Sequence, residues 1–383
     1  MKRLSILGST GSIGRQALDV AERHRERVRV VGLAAGRDLE GLCRQARQWR
    51  PEMLGLEHPA DPAGARAALE EACPGARLAL GRGAAVAVAR ESGSDVTLNG
   101  VVGAAGLAPS LAALGAGARL ALANKETLVV GGPLVRSALA RGGELVPVDS
   151  EHSAALQCLG GCAPAQVARL TLTASGGPLR GDAGWRVASR DQVLAHPVWK
   201  MGERITVDSA LLFNKGLELI EAHWLFDLEW EKLDAVIHPQ ARVHALVEFV
   251  DGSVVAQAAP PDMRLPIQVA LSWPSRWPDS TLARPRHPLA GLEFEPIEAG
   301  RFPAFDLALA AGRTGGTAPC VLNAADEVAV QAFLDGAVSL GQVPEIVGAV
   351  LEAHRVEAVE SLGQLEGVDA WARAEARGRV VRV

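Results

Sequence analysis

The sequence predicts an α/β protein whose N-terminal part is a Rossmann-like, doubly wound sheet. Three observations at the start of the chain support this prediction: the apolar run LSIL at 4–7, the glycine turn GSTGSIG at 8–14, and the helical spacing of apolar residues at 15–24. A second apolar run, VRVVGLAA, follows at 28–35. Strand, glycine turn, helix and strand in about 30 residues form the βαβ unit of such a sheet.

Later segments predict the remaining architecture. Apolar runs alternate with alanine-rich helical segments as far as ELVPVD, so the first sheet should end near residue 148. Asp251-Gly252 lies between two runs of alternating polarity and predicts a β-hairpin, and amphipathic helices follow residue 303. We therefore predict a doubly wound domain at 1–148, a central α+β domain at 149–275 with a mobile lid at about 180–205, a proline-rich linker at 276–303 and a small C-terminal helical domain at 304–383.

The composition argues against two classes of partner. A formal net charge of −5 without a sustained block of lysine and arginine is unlike a dedicated nucleic-acid surface. The uncharged stretch at 96–118 is long enough for a membrane span, but its glycines and Pro109 fit a buried strand, turn and helix better. Gly8 interrupts the apolar run after MKR, so we find no targeting signal. We expect neither nucleic acid nor membrane as a partner.

The cysteines indicate a reducing compartment. The five of them are scattered and form no pattern with metal-binding spacing. Reduced thiols in the cytoplasm fit this usage best. Cys158 and Cys162 are four residues apart, and we expect them to share the face of an apolar helix as small buried side chains.

The glycine turn is a candidate dinucleotide site. Gly8, Gly11 and Gly14 form a GxxGxxG variant of the dinucleotide fingerprint, where glycines let the backbone approach a pyrophosphate at a helix N-terminus. A tight turn without a ligand is the alternative. After the second strand, Arg37 favours the 2′-phosphate of NADP, because a guanidinium donates paired hydrogen bonds to phosphate. The neighbouring Asp38 would suit a bare ribose, and Arg37 as a solvated loop charge also stays open.

The stretch DSEH at 149–152 is a candidate metal site. Asp149 and Glu151 are two apart where a strand ends, so their side chains are expected to emerge on the same side. Two carboxylates without nearby sulfur suit Mg²⁺ or Mn²⁺. Glu218 and Glu221, three apart on a predicted helix, offer a third oxygen ligand. The alternative is a capping box for the helix that follows, which is compatible with metal binding.

Small polar residues beside glycines suggest a phosphate site. Ser175, Ser209, Asn214 and Lys215 together offer several hydrogen-bond donors and one positive charge, although each alone fits a turn or a cap. Between them lies HPVWKMG at 196–202, a stretch with an aromatic residue and flanking glycines that is typical of a mobile lid. An exposed tryptophan there is expected to cover a ligand.

Seven motifs spread in order along the chain resemble those of the 1-deoxy-D-xylulose 5-phosphate reductoisomerase family. They are GSTGSIG at 8–14, ANKE at 123–126, PVDSEHSA at 147–154, ASGGP at 174–178, HPVWKMG at 196–202, VDSALLFNKGLELIEAHWLF at 207–226 and PDMRLPIQ at 261–268. The resemblance implies an NADPH- and divalent-metal-dependent homodimer of non-mevalonate isoprenoid precursor synthesis. Its substrate would be deoxyxylulose phosphate, which rearranges to a branched aldehyde and is reduced to 2-C-methyl-D-erythritol 4-phosphate.

Matching positions imply roles for individual residues. The NADPH site would comprise residues of the first domain and one glycine of the predicted lid: Gly8, Ser9, Thr10, Gly11, Ser12, Ile13, Gly14, Gly36, Arg37, Asn124, Glu126 and Gly202. Ligands of Mg²⁺ or Mn²⁺ would be Asp149, Glu151 and Glu218. The sugar phosphate would be held by Ser150, Ser175, His196, Ser209, Asn214, Lys215 and Glu218. Residues close to the reaction would be Lys125, Glu151, His196, Trp199, Met201 and His244.

The chain departs from the family pattern at three positions. Leu211 stands where a threonine is common, Pro260 where a glutamate is common, and Asp326 where AADE often carries asparagine. None of them is a proposed ligand.

Two other functions predict different residues. A different NADP-dependent dehydrogenase, such as a semialdehyde dehydrogenase, needs a nucleophilic cysteine in a polar motif, and a non-catalytic nucleotide-binding protein predicts loss of the acidic residues, which are all present.

Overall fold

The computed structural model describes residues 1–199, 201–282 and 290–381. Contacts divide the chain into two compact units. The first contains Met1–Thr127, Val135–Ser153 and Asp262–Ala283, and the second contains Leu128–Leu134, Ala154–Pro261 and Arg284–Val383. Part of the predicted linker, 283–289, and Lys200 of the predicted lid lie outside the described residues. The domain boundaries drawn from the sequence stay predictions.

The first unit is built on a parallel sheet of seven strands in the order β4-β3-β2-β1-β5-β6-β7. Its strands are β1 (Lys2–Leu7), β2 (Val28–Ala35), β3 (Met53–Leu56), β4 (Arg77–Leu80), β5 (Val96–Asn99), β6 (Arg119–Leu122) and β7 (Glu144–Pro147). The strand order reverses at β1, where a doubly wound sheet places its ligand crevice. The predicted sheet and its end near residue 148 are confirmed, while β3 was missed because MLGL is short and carries a glycine.

Helices alternate with these strands. They are α1 (Ser12–Arg23), α2 (Leu39–Trp49), α3 (Pro62–Ala72), α4 (Ala84–Glu91), α5 (Leu107–Gly115), α6 (Glu126–Ala140) and α7 (Ser150–Leu159). Local sequence sets the starts of two of them: the Asp38 carboxylate accepts from the Gly41 N–H at the beginning of α2, and Asp61 caps α3 with Pro62 at its first position.

The second unit contains a five-stranded sheet in the order β11-β10-β8-β9-β12. Its strands are β8 (Val167–Ala174), β9 (Leu233–Ile237), β10 (Val243–Phe249), β11 (Val254–Ala258) and β12 (Glu295–Pro296). β10 and β11 form the predicted antiparallel hairpin, and Gly252 in its turn has a φ of 85°. Glycine adopts that left-handed conformation at little cost. The hairpin predicted from Asp251-Gly252 is therefore confirmed, and the turn has the conformation that favours glycine.

Helices complete both units. They are α8 (Arg190–Leu194), α9 (Glu203–Ala210), α10 (Phe213–Phe226), α11 (Arg264–Ser272), α12 (Pro303–Thr314), α13 (Ala318–Leu334), α14 (Gln342–Ala353) and α15 (Leu362–Val380). α11 belongs to the first unit, and the others belong to the second. α15 was not predicted from the sequence, because it buries only Leu365, Ala372 and Ala376 and so has a narrow, small-residue apolar face.

Two expectations about segments of the first half of the chain have different outcomes. The stretch at 96–118 is the predicted strand, turn and helix, and no helix in the described residues combines the length and apolar character needed to cross a membrane. The expectation that Cys158 and Cys162 share a helix face is wrong. α7 ends at Leu159, Gly160 and Gly161 turn the chain with positive φ, and Cys162 is exposed.

Candidate active site

The glycine turn joins β1 to α1 through close backbone approaches. Gly8 has a φ of +76°, and a Cβ there would lie 2.6 Å from the Gly100 carbonyl oxygen. A Cβ on Gly14 would lie 2.4 Å from the Gly8 oxygen, so the third glycine permits tight packing of the helix on the turn. Gly11 stands at the N-cap of α1, where no side chain caps the helix. The first turn therefore presents its N–H groups and positive dipole to an anion.

The two charged residues after β2, Arg37 and Asp38, have different surroundings. The Asp38 carboxylate accepts a 2.8 Å hydrogen bond from the Gly41 N–H and serves as the cap of α2. Arg37, next to it, is exposed, and no atom lies within 4 Å of a Cβ built on Gly36. Because the carboxylate is engaged by the helix while the guanidinium faces solvent, this corner favours a phosphate over a bare ribose.

Asn124 and Glu126 organise the loop that follows β5. Asn124 Nδ2 donates to the carbonyl oxygens of Val101 and Gly103, at 2.8 and 3.0 Å, and the Gly103 N–H donates to Glu126 Oε1 at 3.1 Å. Asn124 Oδ1 also accepts from the Thr127 N–H. These two predicted cofactor residues thus hold the backbone of 101–103, and direct contact with the cofactor stays a prediction.

Asp149 is both a helix cap and a charged partner. Its Oδ1 accepts from the N–H groups of Glu151 and His152 at 3.1 and 3.3 Å, which is the cap predicted as the alternative. Its Oδ2 accepts from the Lys125 ammonium. The strand geometry predicted for Asp149 and Glu151 is wrong, since β7 ends at Pro147 and Glu151 lies in the first turn of α7. Both carboxylates nevertheless stand at this strand-to-helix junction, and the Ser150 hydroxyl donates to Glu151 Oε2 at 2.6 Å.

Glu218 lies on α10, on the same face as two other predicted residues. Asn214 Nδ2 donates to its Oε1 at 2.6 Å, and the Lys215 ammonium donates to its Oε2. These positions are three and four residues apart, so the helix itself brings them together. One carboxylate oxygen from each of Asp149, Glu151 and Glu218 lies within 4.8 Å of the other two. Glu221, which the helical spacing offered equally, is not part of that group.

Ser175, which precedes the predicted lid, and His196, which lies within it, form a polar pair. Ser175 Oγ and His196 Nε2 are 3.0 Å apart. His196 Nδ1 accepts the Trp199 N–H at 2.9 Å and the Val198 N–H at 3.2 Å. A neutral ring that accepts at Nδ1 carries its proton on Nε2, so His196 donates to Ser175. Burial lowers the pKa of His196 and favours this neutral form.

The other predicted lid and substrate residues are placed as follows. Ser209 is buried on α9, and a Cβ on Gly177 would lie 2.7 Å from its carbonyl oxygen, so the ASGGP turn packs directly on this serine. Gly202 is the N-cap of α9, and Met201 before it is half-buried. His244 is buried on β10 with Nε2 3.3 Å from the Ala259 oxygen, and its ring centroid is 6.4 Å from that of Trp199.

Sequence reasoning missed a buried charged cluster in the second unit. Arg204 and Asp208 of α9 meet Asp326 and Glu327 of α13, with Arg204 Nη1 3.0 Å from Glu327 Oε1 and Nη2 3.4 Å from Asp326 Oδ2. The only signal in the sequence was the departure from asparagine at Asp326. Helical spacing relates Arg204 to Asp208, but it says nothing about a partner more than a hundred residues away.

Four of the five cysteines are buried, which does not suit the nucleophile that a semialdehyde dehydrogenase needs. Burial raises the pKa of Cys158 to about 11 and that of Cys320 to about 12, so both thiols stay protonated and inert near neutral pH. Cys43 and Cys73 are buried as well, and exposed Cys162 lies after the end of α7.

Family profiles match most of the chain. That of 1-deoxy-D-xylulose 5-phosphate reductoisomerase matches residues 4–132, and two profiles of the C-terminal domains of the same enzyme match residues 145–226 and 258–375. Relatives named 1-deoxy-D-xylulose 5-phosphate reductoisomerase include those of Symbiobacterium thermophilum, 47% identical with all of both chains covered, and Anaeromyxobacter dehalogenans, 48% identical with 99% of this chain and 97% of the relative covered.

Solved structures of the same enzyme share the fold. The Zymomonas mobilis enzyme in complex with NADPH superposes with a TM-score of 0.92 at 37% identity, covering 99% of each chain. A DOX-P reductoisomerase in complex with NADPH, fosmidomycin and magnesium gives 0.93 at 35% identity, covering 99% of this chain and 98% of that one. The ordered motifs, the carboxylate trio and these full-length similarities lead to one conclusion: the chain belongs to the 1-deoxy-D-xylulose 5-phosphate reductoisomerase family.

Proposed function

We propose that this protein is an NADPH- and divalent-metal-dependent reductoisomerase that converts 1-deoxy-D-xylulose 5-phosphate to 2-C-methyl-D-erythritol 4-phosphate. The observation that carries the proposal is the group of three carboxylates, Asp149, Glu151 and Glu218, whose ligand oxygens lie within 4.8 Å of one another. In a member of this family, such a group supports a hard-cation site for a substrate with vicinal oxygens. The reaction serves isoprenoid precursor synthesis.

The residues fit the metal. Mg²⁺ and Mn²⁺ prefer oxygen ligands, and each of the three side chains offers a carboxylate oxygen. Lys125 and Lys215 each donate a hydrogen bond to one of these carboxylates, to Asp149 and Glu218 respectively. When bound, the metal supplies Lewis-acid polarisation of the substrate's oxygens. We assign Asp149, Glu151 and Glu218 as its ligands.

The residues fit NADPH. The uncapped first turn of α1, the tight approach of Gly8, Gly11 and Gly14, and the exposed Arg37 support a pyrophosphate at the turn and a 2′-phosphate at the end of β2. We assign 8–14, Gly36 and Arg37 to direct binding. Asn124, Glu126 and Gly202 complete the proposed set of cofactor residues. The cofactor supplies the hydride for the reduction.

The substrate's phosphate is assigned to the second unit. Ser175, Ser209, Asn214 and Lys215 offer hydroxyl, amide and ammonium donors, and His196 orients Ser175 through a 3.0 Å contact. Lys215 is almost fully buried, and a buried cation recognises a phosphate dianion strongly because little water competes with it. Anchoring the phosphate lets binding energy orient the reacting carbons.

The remaining residues act on the sugar end. Ser150 donates to Glu151 and is assigned to a substrate hydroxyl, and Lys125 stands beside Asp149 as a donor to developing negative charge on oxygen. We assign Trp199 and Met201 to a lid that excludes water. His244, whose ring lies near that of Trp199, is assigned to support that lid.

One assay tests the function. Purified protein is incubated with deoxyxylulose phosphate, NADPH and Mn²⁺, and loss of nicotinamide absorbance is followed while the product is identified by NMR. We expect oxidation of NADPH that stops with chelator and returns with added metal, and formation of the branched polyol phosphate. NADPH oxidation that ignores the metal, or a different product, would refute the proposal. Alkylation of exposed Cys162 should leave the rate unchanged, in contrast to a thiol-dependent dehydrogenase.

We also propose a homodimer in the cytoplasm. β11 ends the five-stranded sheet and exposes Val254 and Val255, at 59% and 42%, which supports pairing of this edge with a second copy. The five free cysteines support a reducing compartment. Light scattering should give twice the chain mass, and Val255→Lys should shift the protein toward monomer. A monomer at micromolar concentration would refute the dimer.

A further inference from the structure

Asp326 occupies an unusual environment for a carboxylic acid. It is fully buried on α13, and its Oδ1 has no hydrogen-bond partner within the described chain. Its Oδ2 is 3.4 Å from Arg204 Nη2, which is a long contact. An ionised carboxylate with one oxygen wholly unsatisfied is costly to bury, whereas a neutral acid at the same place loses far less hydration.

Charges around Asp326 reinforce this preference. The groups that act on its carboxyl within the described chain are Arg204 and Asp208 of α9 and Glu327 of α13 itself. Arg373 of α15 reaches the cluster by donating to Glu327 at 2.6 Å, and Asp369 holds that arginine at 2.7 Å. Two acids, Asp208 and Glu327, thus share the surroundings of Asp326. Burial, followed by the charge of Asp208, raises the pKa of Asp326 well above its ordinary value.

The contacts of Asp326 lead to α9, the helix that carries Ser209. Arg204 reaches Asp326, Asn323 and Glu327 on α13 through its two terminal nitrogens. Asp208, one residue before Ser209, is 3.7 Å from Arg204 Nε. The rotation of this eight-residue helix is set by its buried Val207 and Ala210 together with the contacts that Arg204 makes to α13. The orientation of Ser209 therefore depends in part on the partners of Arg204.

We propose that Asp326 is a positioning residue for the phosphate end of the site: as a buried neutral acid it holds Arg204, and through Arg204 it fixes α9 and the Ser209 hydroxyl. The part that concerns Ser209 rests on the proposed function. The neutral acid resembles an asparagine side chain in size and in lacking a charge. Unlike an amide, it releases a proton at high pH and then places a third negative charge beside Asp208 and Glu327.

The protonation state is tested without any substrate. Between the pKa of an aspartate in the unfolded chain, about 3.9, and that of native Asp326, the native state holds one proton more than the unfolded state. The stability of the wild type therefore falls relative to Asp326→Asn as the pH rises, by about tenfold in the folding equilibrium constant per pH unit. Chemical denaturation from about pH 5 to about pH 8 measures this trend. If the difference in unfolding free energy between the wild type and Asp326→Asn does not vary with pH, Asp326 is not a neutral acid in the native state.

An infrared difference spectrum gives a second readout. The wild type at neutral pH should show the carbonyl stretch of a protonated carboxylic acid, and Asp326→Asn should lack it. Asp369→Asn is the matched control, because Asp369 belongs to the same cluster but forms a 2.7 Å ion pair with Arg373. This control should keep the band and the pH trend of the wild type. Absence of the band in the wild type, or its loss in the control, would overturn the assignment to Asp326.

The positioning role is tested by kinetics. Asp326→Leu removes the acceptor for Arg204 and should raise the KM for deoxyxylulose phosphate about tenfold, with a smaller change in kcat and no change in NADPH affinity. Asp326→Asn should restore the KM and keep it constant at alkaline pH, where that of the wild type rises. If Asp326→Leu lowers the melting temperature but leaves KM unchanged, Asp326 is structural only. If the proposed function itself is wrong, the wild-type protein will show no turnover of deoxyxylulose phosphate.

Discussion

Each unit of the molecule holds a pair formed by a lysine and a proposed metal ligand, and the two pairs are built differently. In the second unit, Lys215 and Glu218 are three residues apart on α10 and nearly fully buried, with 5% and 2% of their side chains exposed. In the first unit, Lys125 and Asp149 are 24 residues apart and more exposed, at 15% and 13%. One pair follows from helical periodicity, whereas the other exists only because β6 and β7 are adjacent in the sheet.

The difference suggests distinct tasks for the two lysines. A buried ammonium fixed on a helix beside Asn214 presents a constant charge in a constant place, which suits an anchor for the phosphate. Lys125, held by a strand-end loop and partly open to water, has more freedom to follow charge that changes during a reaction. We expect substitutions to separate these tasks in KM and kcat.

The largest effect is expected from the carboxylates themselves. Glu218→Gln should lower kcat/KM by on the order of a hundredfold or more, because it removes a metal ligand, while NADPH affinity stays near that of the wild type. Titration with Mn²⁺, followed by its paramagnetic signal, measures the loss of metal binding directly. Glu221→Gln is the matched control, since Glu221 is also buried on α10 but lies outside the carboxylate group, and it should retain metal affinity. Equal loss of metal and NADPH affinity in Glu218→Gln would make Glu218 structural.

Substitution of the two lysines sharpens the comparison most directly. Lys215→Met should raise the KM for the sugar phosphate by about tenfold to a hundredfold, since a charged hydrogen bond contributes about 1.5–3 kcal/mol, with a smaller effect on kcat. Lys125→Met should act chiefly on kcat. Steady-state kinetics over a range of substrate concentration separates the two constants. The same pattern of change in both variants would contradict the division of tasks.

Substitution of Arg37 tests the proposed cofactor contact of the first unit. Arg37→Met should weaken NADPH binding by about tenfold while leaving NADH affinity and the KM of the sugar phosphate nearly unchanged, because only the contact with the 2′-phosphate is removed. Fluorescence titration with each nucleotide measures the two affinities. Arg44→Met, which removes an exposed arginine of α2 paired with Glu40, is the control and should change neither. An equal loss of affinity for NADPH and NADH would contradict a contact between Arg37 and the 2′-phosphate.

The smallest expected effect is a pH dependence in the second unit. Burial lowers the pKa of His196, so the native ring stays neutral as pH falls below about 6.5, where a histidine of the unfolded chain already takes up a proton. The stability that His196 contributes is therefore complete above that pH and declines as pH falls toward its native pKa. Once the ring is protonated, Nδ1 no longer accepts the Trp199 N–H, and the KM should rise a few-fold.

A variant isolates this effect from other titrations. His196→Gln should have a raised KM that varies less across the same acidic range than that of the wild type, because only the titration of the substrate's phosphate, with a pKa of about 6, remains. If the KM of the wild type is constant from about pH 5 to about pH 7, the neutral ring is not required for the turn at 196–199.

Much of the first unit follows from local sequence. The GSTGSIG turn predicted a dinucleotide site between a strand and a helix, and the structure explains each glycine by backbone approach or by an uncapped helix start. The capping role of Asp149 was also visible as an alternative. The direction of the Asp149 side chain could not be predicted in the same way. Predicting it requires knowing, to within one residue, where β7 ends and where α7 begins.

The sequence by itself determined the doubly wound sheet, the hairpin at Asp251-Gly252 and the face of α10 that bears Asn214, Lys215 and Glu218. Each of these depends on residues a few positions apart, whose relation is set by helix, strand or turn geometry. Only the tertiary structure decided that Lys125 pairs with Asp149, that Glu218 rather than Glu221 joins the carboxylate group, and that Asp326 is buried against Arg204. These contacts join residues distant in the chain, and the ionisation of the groups depends on the burial and charge that packing creates.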